Sequence, residues 1–124
     1  MSSEKKKTLL YVQTSGTSTP ERLYSPLVLA QTAKAQGLEP KIYFLGMGLT
    51  VLKKGEAEKI KMGAFPTLTE VMDQTIKAGI EILVCVQSQQ LLNLPESEFI
   101  PEVKTVGAAT LNGLVLESDG VMWF

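Results

Sequence analysis

The chain has 124 residues, of which 44% are hydrophobic and 20% are charged, and this size and composition predict one folded domain. Its 12 basic and 13 acidic side chains leave a formal charge of −1, so nucleic acid is not an expected partner. The single cysteine and the lack of histidine exclude an intrachain disulfide, the usual zinc ligand sets and histidine-dependent triads. We expect no bound metal, and no motif indicates a cofactor.

The amino-terminal residues 1–7 are polar and basic, and they predict a disordered tail in front of a single domain over residues 8–124. The apolar stretch behind the tail, residues 8–12, is too short for the core of a signal peptide. No stretch of the sequence approaches the ~18–20 consecutive apolar residues that span a bilayer. These features predict a cytoplasmic protein without a membrane segment.

The first half of the domain predicts a strand, a loop and a long helix. Residues 8–13 are apolar and rich in strand formers, and residues 14–19 form a cluster of turn and capping residues. Pro20 suits a first helical position, and apolar residues then recur at helical spacing to about residue 36. Pro26 interrupts this pattern, so we expect a kink or a restart of the helix there.

The middle of the chain continues the alternation of strands and helices. Residues 41–45 predict a second strand, and a short helix follows through residues 49–52. Thr67 with Glu70 three residues later is typical of a capping box, and the helix that it begins ends at Gly79. Residues 80–86 form a near-continuous apolar run, as expected for a strand covered on both faces. The polar residues 87–90 are expected to end that strand.

The last part predicts a marginal strand at residues 104–108, a short helix at 109–118 and a closing strand at 120–124. A helix is also expected between the third and fourth strands. Strands that alternate with helices predict a parallel sheet, because each crossover returns a helix to one face of it. The predicted fold class is therefore α/β, a three-layer α/β/α sandwich with a mainly parallel five-stranded sheet.

Ligands of such sheets bind at the carboxyl ends of the strands, which directs attention to the loops there. The loop after the first strand carries Ser15 and Gly16 just before a helix start. Unpaired backbone N–H groups at that position favour an anion, but ordinary helix capping explains the same residues. The loop after the second strand has two glycines without the third of a dinucleotide-binding motif.

Cys85 lies near the end of the predicted buried strand. A free cysteine is often a small buried hydrophobe, so packing is one interpretation. A thiol at the carboxyl end of a central strand is also where such folds place functional groups, and a helix start just beyond it favours the thiolate. The residues alone leave both interpretations open.

The order of these segments resembles the DsrE/DsrF-like family. The resemblance is carried by the following segments: Thr14-Ser15-Gly16, Pro20-Glu21-Arg22, Ser25-Pro26-Leu27, Lys41-Ile42-Tyr43-Phe44, Val51-Leu52-Lys53-Lys54-Gly55, Cys85 with Ser88, Val106-Gly107-Ala108-Ala109 and Val121-Met122-Trp123-Phe124. It implies an α/β/α domain, often trimeric or hexameric, in which some members carry a persulfide on the cysteine that matches Cys85. The segment 89–93 departs from the arginine- and glycine-containing stretch of well-known carriers, which leaves the sulfur donor and acceptor open.

The resemblance implies a cytoplasmic persulfide carrier or sulfurtransferase, which accepts sulfane sulfur on Cys85 and exchanges it with a donor or acceptor protein. Such chemistry needs an accessible thiolate and dipoles that hold negative charge, without histidine or metal. We expect Ser15, Gly16 and Ser88 to donate hydrogen bonds to the sulfur, with Ser15 and Cys85 in one pocket. The alternative is a non-enzymatic oligomeric module that binds a small molecule or a partner protein, with Cys85 only packing.

An oligomer is expected both for a sulfur carrier and for a binding module. The terminal run of residues 121–124 is apolar on both of its alternating faces, and a strand there has to be covered on both sides. We therefore expect a homo-oligomer, and the family resemblance implies a trimer or a hexamer.

Overall fold

The structure, a computed structural model, describes residues 6–124. Five parallel strands form one sheet in the order β4-β3-β2-β1-β5. Their bounds are β1 Thr8–Gln13, β2 Glu39–Phe44, β3 Glu81–Cys85, β4 Val103–Val106 and β5 Gly120–Trp123. The predicted five-stranded parallel sheet is therefore confirmed, and the carboxyl ends of all its strands lie at the same edge.

Four α-helices connect the strands: α1 Tyr24–Ala35, α2 Leu68–Lys77, α3 Val86–Leu92 and α4 Ala108–Glu117. Short 3-10 turns cover Pro20–Arg22, Gly46–Leu52, Ala57–Lys59 and Glu96–Glu98. Within residues 6–124, no helix is long and apolar enough to cross a membrane. The first five residues of the predicted tail lie outside the described residues. Lys7 at its end is exposed, and its carbonyl accepts a hydrogen bond from the Glu39 N–H at 2.9 Å.

The expected interruption near Pro26 is a restart. The chain makes a 3-10 turn at Pro20–Arg22 and begins α1 only at Tyr24. Pro26 is thus the third residue of α1, where a backbone N–H has no partner within the helix. Its missing N–H therefore costs nothing there, in contrast to a proline in a helix interior.

The predicted capping box of α2 is confirmed. The Thr67 Oγ1 accepts a hydrogen bond from the Glu70 N–H at 3.3 Å, and a Glu70 carboxylate oxygen accepts one from the Thr67 N–H at 3.4 Å. This pair satisfies two backbone N–H groups that the first turn leaves free.

The third strand is one residue shorter than predicted at its carboxyl end. It ends at Cys85, and α3 begins at Val86. The polar residues 87–90 therefore lie within a helix, because glutamine is a good helix former and none of these residues breaks a helix. Asn93, in the left-handed conformation with φ 53°, ends α3.

The two faces of the sheet have separate apolar clusters, because successive residues of a strand point to opposite sides. One cluster includes Tyr11, Ile42, Phe44, Ile82 and Val84 of the strands and packs against α1 and α2. The other contains Leu10, Val12, Tyr43, Leu83 and Cys85, with Leu111 and Leu114 of α4 packed against it. The structure thus has helices on both faces, as the three-layer architecture requires, and Cys85 lies on the α4 side.

Candidate functional site

Cys85 is the last residue of β3 and the residue that directly precedes α3. It pairs in register with Val106 of the neighbouring β4. The side chain is only 2% exposed, so the expectation of an accessible sulfur is wrong for the single chain. The physical reason is that α4 and the end of β4 cover this face of the sheet, which the strand-end position alone does not reveal.

Polar groups nevertheless surround the buried sulfur. Its Sγ donates a hydrogen bond to the side-chain Oε1 of Gln87 over 3.5 Å. The hydroxyl of Tyr43 is a second partner. With the thiol protonated, its single proton goes to the carbonyl oxygen of Gly107 at 3.1 Å, and once the thiol ionises that proton is available to the sulfur instead. Ser88 completes the set with both its backbone and its side chain.

These contacts decide the ionisation of the thiol. Burial by itself raises the pKa of Cys85, but hydrogen bonds from the Tyr43 hydroxyl and from Ser88 lower it, as does one from the Gln87 backbone. The net effect is a pKa below the usual value for a thiol, because hydrogen bonds that favour the charged form outweigh its desolvation here.

Tyr43 is suited to remain a donor. Burial raises the pKa of Tyr43 far above its usual value, and the hydrogen bond to Cys85 and the charge of its thiolate raise it further. The phenol therefore stays protonated while the neighbouring thiol loses its proton. The pair places the negative charge on sulfur.

The structure places Ser88 beside Cys85. Ser88 is buried, 6% exposed, and its Oγ accepts a hydrogen bond from the Gly46 N–H at 2.8 Å. That contact leaves the hydroxyl proton of Ser88 free to point at the sulfur, and it joins the loop after β2 to the first turn of α3. This residue is the one predicted neighbour of the thiol that lies against it.

Ser15 and Gly16 do not lie against the thiol. They follow β1, and β2 separates β1 from β3 in the sheet, which corresponds to roughly 10 Å between the two strands. Ser15 accepts a hydrogen bond from the Arg22 side chain at 2.9 Å and is not among the groups that lower the pKa of Cys85. The expectation that the strands before Ser15 and Cys85 are neighbours is wrong, although both residues lie at the same edge.

The glycine of the first loop has a packing role instead. A Cβ on Gly16 would approach both the Met47 carbonyl oxygen and the Thr50 Oγ1 to 2.5 Å. A Cβ on Gly48 would collide with the carbonyl oxygen of Gln13. These two glycines allow the loop after β1 to pack against the 3-10 turn Gly46–Leu52, which in turn holds Ser88.

Tyr43 and Gln87 are the members of the site that sequence reasoning missed. Tyr43 belongs to a predicted strand, and its hydroxyl reaches Cys85 only because the register pairs Tyr43 with Leu83, two residues before the thiol. Alternation along strands puts all three on one face. Gln87 is two residues beyond Cys85. It was missed because α3 begins at Val86, inside the predicted strand, and brings the side chain of Gln87 back to the sulfur.

Solved structures with the same fold include the ychN protein of E. coli. Its structure matches with a TM-score of 0.71 at 14% sequence identity, covering 97% of this chain and 100% of that protein. The protein MTH1491 of Methanobacterium thermoautotrophicum matches with a TM-score of 0.69 at 12% identity, covering 97% of this chain and 100% of that protein. At such identities the likeness shows a shared fold.

Similar sequences include three archaeal or bacterial proteins. The uncharacterized protein MJ0760 of Methanocaldococcus jannaschii is 28% identical over 93% of this chain, which spans 42% of that protein's length. The uncharacterized protein MK0008 of Methanopyrus kandleri is 33% identical over 84% of this chain and 83% of its own length. The sulfur carrier protein DsrE2 of Allochromatium vinosum is 28% identical over 77% of this chain and 86% of its own length. The profile of one family matches residues 7–124, nearly the whole chain, and the protein belongs to the DsrE/DsrF-like family.

Proposed function

We propose that this protein is a cytoplasmic persulfide carrier or sulfurtransferase that accepts sulfane sulfur on Cys85. The observation that carries the proposal is the hydrogen-bonded thiol at the carboxyl end of β3. Burial raises the pKa of this thiol, but its hydrogen-bond donors lower it more, so the pKa lies below the usual value for a thiol. A relative that is 28% identical is named a sulfur carrier, and membership of the family supports a role in sulfur relay.

The transfer needs only the thiolate and its donors. The thiolate of Cys85 attacks the outer sulfur of a donor persulfide, the S–S bond of the donor breaks, and the donor leaves as a thiolate. The outer sulfur is transferred together with its hydrogen, so Cys85 becomes a persulfide and no net oxidation occurs. An acceptor thiolate removes the sulfur by the same step in reverse. Tyr43 and Ser88 hold the negative charge on the Cys85 sulfur before attack and after release.

Mass spectrometry of the intact protein tests this proposal. The protein is incubated with inorganic polysulfide, desalted and weighed, and we expect an added mass of one or more sulfur atoms. Dithiothreitol should remove that mass, and Cys85→Ser should not acquire it. If wild-type protein gains no sulfur from polysulfide or from a thiosulfonate donor, the carrier function is wrong.

A second function has one specific observation in its favour. Cys85 is 2% exposed and packs in an apolar cluster with Leu83 and Tyr43, as a purely structural cysteine would. The protein would then be a binding module for a small molecule or a partner protein. Titration with a chromogenic disulfide separates the two, since a structural thiol reacts only after denaturant is added and a carrier thiol reacts in the folded protein.

We also propose that the protein assembles as a homo-oligomer. Two neighbouring elements, α4 and the edge strand β5, leave large apolar side chains in water: Leu116 is 86% and Trp123 55% exposed, and Val115 and Met122 are exposed as well. Exposed large apolar side chains on two elements that follow each other in the chain are typical of interaction surfaces. The family resemblance implies a trimer or a hexamer, and light scattering at micromolar concentration measures the mass.

A further inference from the structure

The sulfur of Cys85 is enclosed, and its exposed polar neighbour is Gln87. The side chains of Tyr43 and Ser88, which also hydrogen-bond the sulfur, are 0% and 6% exposed. Gln87 is exposed, and its Oε1 lies 3.5 Å from the Sγ of Cys85. A molecule that approaches the sulfur from water past its polar neighbours therefore meets the side chain of Gln87 first.

A second contact holds the Gln87 side chain in this place. Its Oε1 also accepts a hydrogen bond from the backbone N–H of Ala108 at 3.1 Å. Ala108 is the first residue of α4, and Gly107 before it provides no side-chain cap. Because a backbone N–H can only donate, this contact fixes the carboxamide with its oxygen, not its nitrogen, toward Ala108 and the sulfur.

The orientation of the carboxamide makes its contact with sulfur depend on the thiol proton. An amide oxygen only accepts, so it bonds to the protonated S–H of Cys85. Once the thiol ionises, the same oxygen faces a negative sulfur that offers no hydrogen, and that contact becomes repulsive. The side chain is then held by the bond to Ala108 alone, which is a single neutral hydrogen bond at an exposed position.

We propose that the side chain of Gln87 is a latch that closes over the protonated thiol of Cys85 and opens when the thiol ionises. This inference rests on the proposed function for its purpose, which is to expose the sulfur to a donor only in its reactive form. The latch opens by rotation of one exposed side chain, and the backbone N–H of Gln87 stays in place to support the thiolate. Gln87 is a positioning residue, since it acts through access to Cys85.

Two single substitutions open the latch in independent ways. Gln87→Ala removes the covering side chain and keeps the backbone. Ala108→Pro removes the anchoring N–H without touching Gln87, at a first helical position that proline favours. Gly107 before it is extended, with φ −100° and ψ 177°, as a residue before proline should be. Gln90→Ala, an exposed glutamine of the same helix, is the matched control.

The test is the rate at which folded protein reacts with iodoacetamide, a small neutral thiol reagent, measured across pH. We expect Gln87→Ala and Ala108→Pro to react about fivefold faster than wild type at a pH below the thiol pKa, the factor that one neutral hydrogen bond corresponds to. Above the thiol pKa, where the latch of wild type is open, they should react at the wild-type rate. Gln90→Ala should match wild type, and the double variant Gln87→Ala with Ala108→Pro should react no faster than Gln87→Ala. Gln87→Glu should react more slowly and raise the apparent pKa of the thiol, because its carboxylate repels the thiolate and binds Ala108 more strongly.

The outcomes separate the latch from the carrier function. If both opening variants react within twofold of wild type below the thiol pKa, the latch is wrong, even where polysulfide loads sulfur on Cys85. If they react faster with iodoacetamide while no variant takes up sulfur, the latch stands and the carrier function is wrong. Should one variant unfold, as thermal melting shows, the other alone decides the question.

Discussion

Tyr43 and Cys85 belong to different strands, and their side chains share a hydrogen bond on the α4 side of the sheet. Tyr43 pairs in register with Leu83, so Cys85 lies two residues further along β3 and on the same face. With the thiol protonated, the Tyr43 hydroxyl donates its single proton to the Gly107 carbonyl at 3.1 Å. The phenol lies between the end of β3 and the start of α4, and the same proton can turn to the sulfur and stabilise its negative charge once the thiol ionises.

The first prediction concerns this phenol. Burial raises the pKa of Cys85, and the hydrogen bond from Tyr43 is the first of the contacts that lower it, so Tyr43→Phe should raise the thiol pKa. The thiolate absorbs in the ultraviolet, and its titration gives the pKa directly. At neutral pH the rate of alkylation should fall with the thiolate fraction.

Tyr24→Phe is the matched control for that substitution. Its hydroxyl donates to the carbonyl of Pro66 at 2.9 Å, and Tyr24 packs in the cluster on the opposite face from Cys85. Both variants lose one hydroxyl donor, at a cost of about 1 kcal/mol in stability, but only Tyr43→Phe should move the thiol pKa. Equal thiol titrations in the two variants would contradict the role of Tyr43.

The second prediction is a pH dependence of stability. Although burial raises the pKa of Cys85, hydrogen bonds lower it overall, so the ionised thiol stabilises the folded state. That contribution is present above the unfolded pKa of about 8.5 and is lost as the pH falls through the lower pKa of the folded state. Urea denaturation of wild type and Cys85→Ser should show wild type gaining stability, relative to the variant, as the pH rises toward about 8.5.

Tyr43 contributes a pH dependence of stability with the opposite sign, in alkaline solution. Burial raises its pKa, so its neutral form stabilises the fold. That contribution is present below the unfolded pKa of about 10 and is lost as the pH rises further toward the folded value. Tyr43→Phe should therefore lose less stability than wild type when the pH increases above about 10. Equal losses in both proteins would contradict the buried, protonated state of this phenol.

The third prediction compares two glycines. A Cβ on Gly48 collides with the backbone carbonyl of Gln13, which cannot move aside as a flexible side chain does. Gly48→Ala should therefore destabilise the protein by about 1–3 kcal/mol. Gly113 lies within α4, and a Cβ there would meet no neighbouring group within 4 Å, so Gly113→Ala should stabilise by about 0.5–1 kcal/mol. Urea midpoints of the two variants should move in opposite directions.

The fourth prediction concerns assembly. Leu116 of α4 is 86% exposed and belongs to the apolar surface that we propose as the oligomer interface. Leu116→Lys should reduce the mass in solution toward that of a monomer while the circular dichroism spectrum stays unchanged. Leu91, 79% exposed on α3, is the control, and Leu91→Lys should keep the mass of wild type. A wild-type mass equal to one chain would contradict the proposed oligomer.

The elements and their order could be predicted from the sequence, because these depend on local patterns. The apolar run before Cys85 predicted a covered strand, and Thr67 with Glu70 predicted the start of α2 through contacts three residues apart. The alternation of strands and helices predicted the parallel sheet. Pro26 likewise indicated a kink or a restart, since its effect acts on its own helix.

Which residues surround the sulfur depends on contacts between distant parts of the chain. Strand order separates Ser15 from Cys85 by placing β2 between their strands, and strand register brings Tyr43 beside the thiol. The burial of Cys85 depends on how α4 packs across the sheet, and the bond between Gln87 and Ala108 joins two helices. Order, register and helix packing arise from contacts between residues far apart in sequence, and no local pattern of hydropathy or capping encodes them.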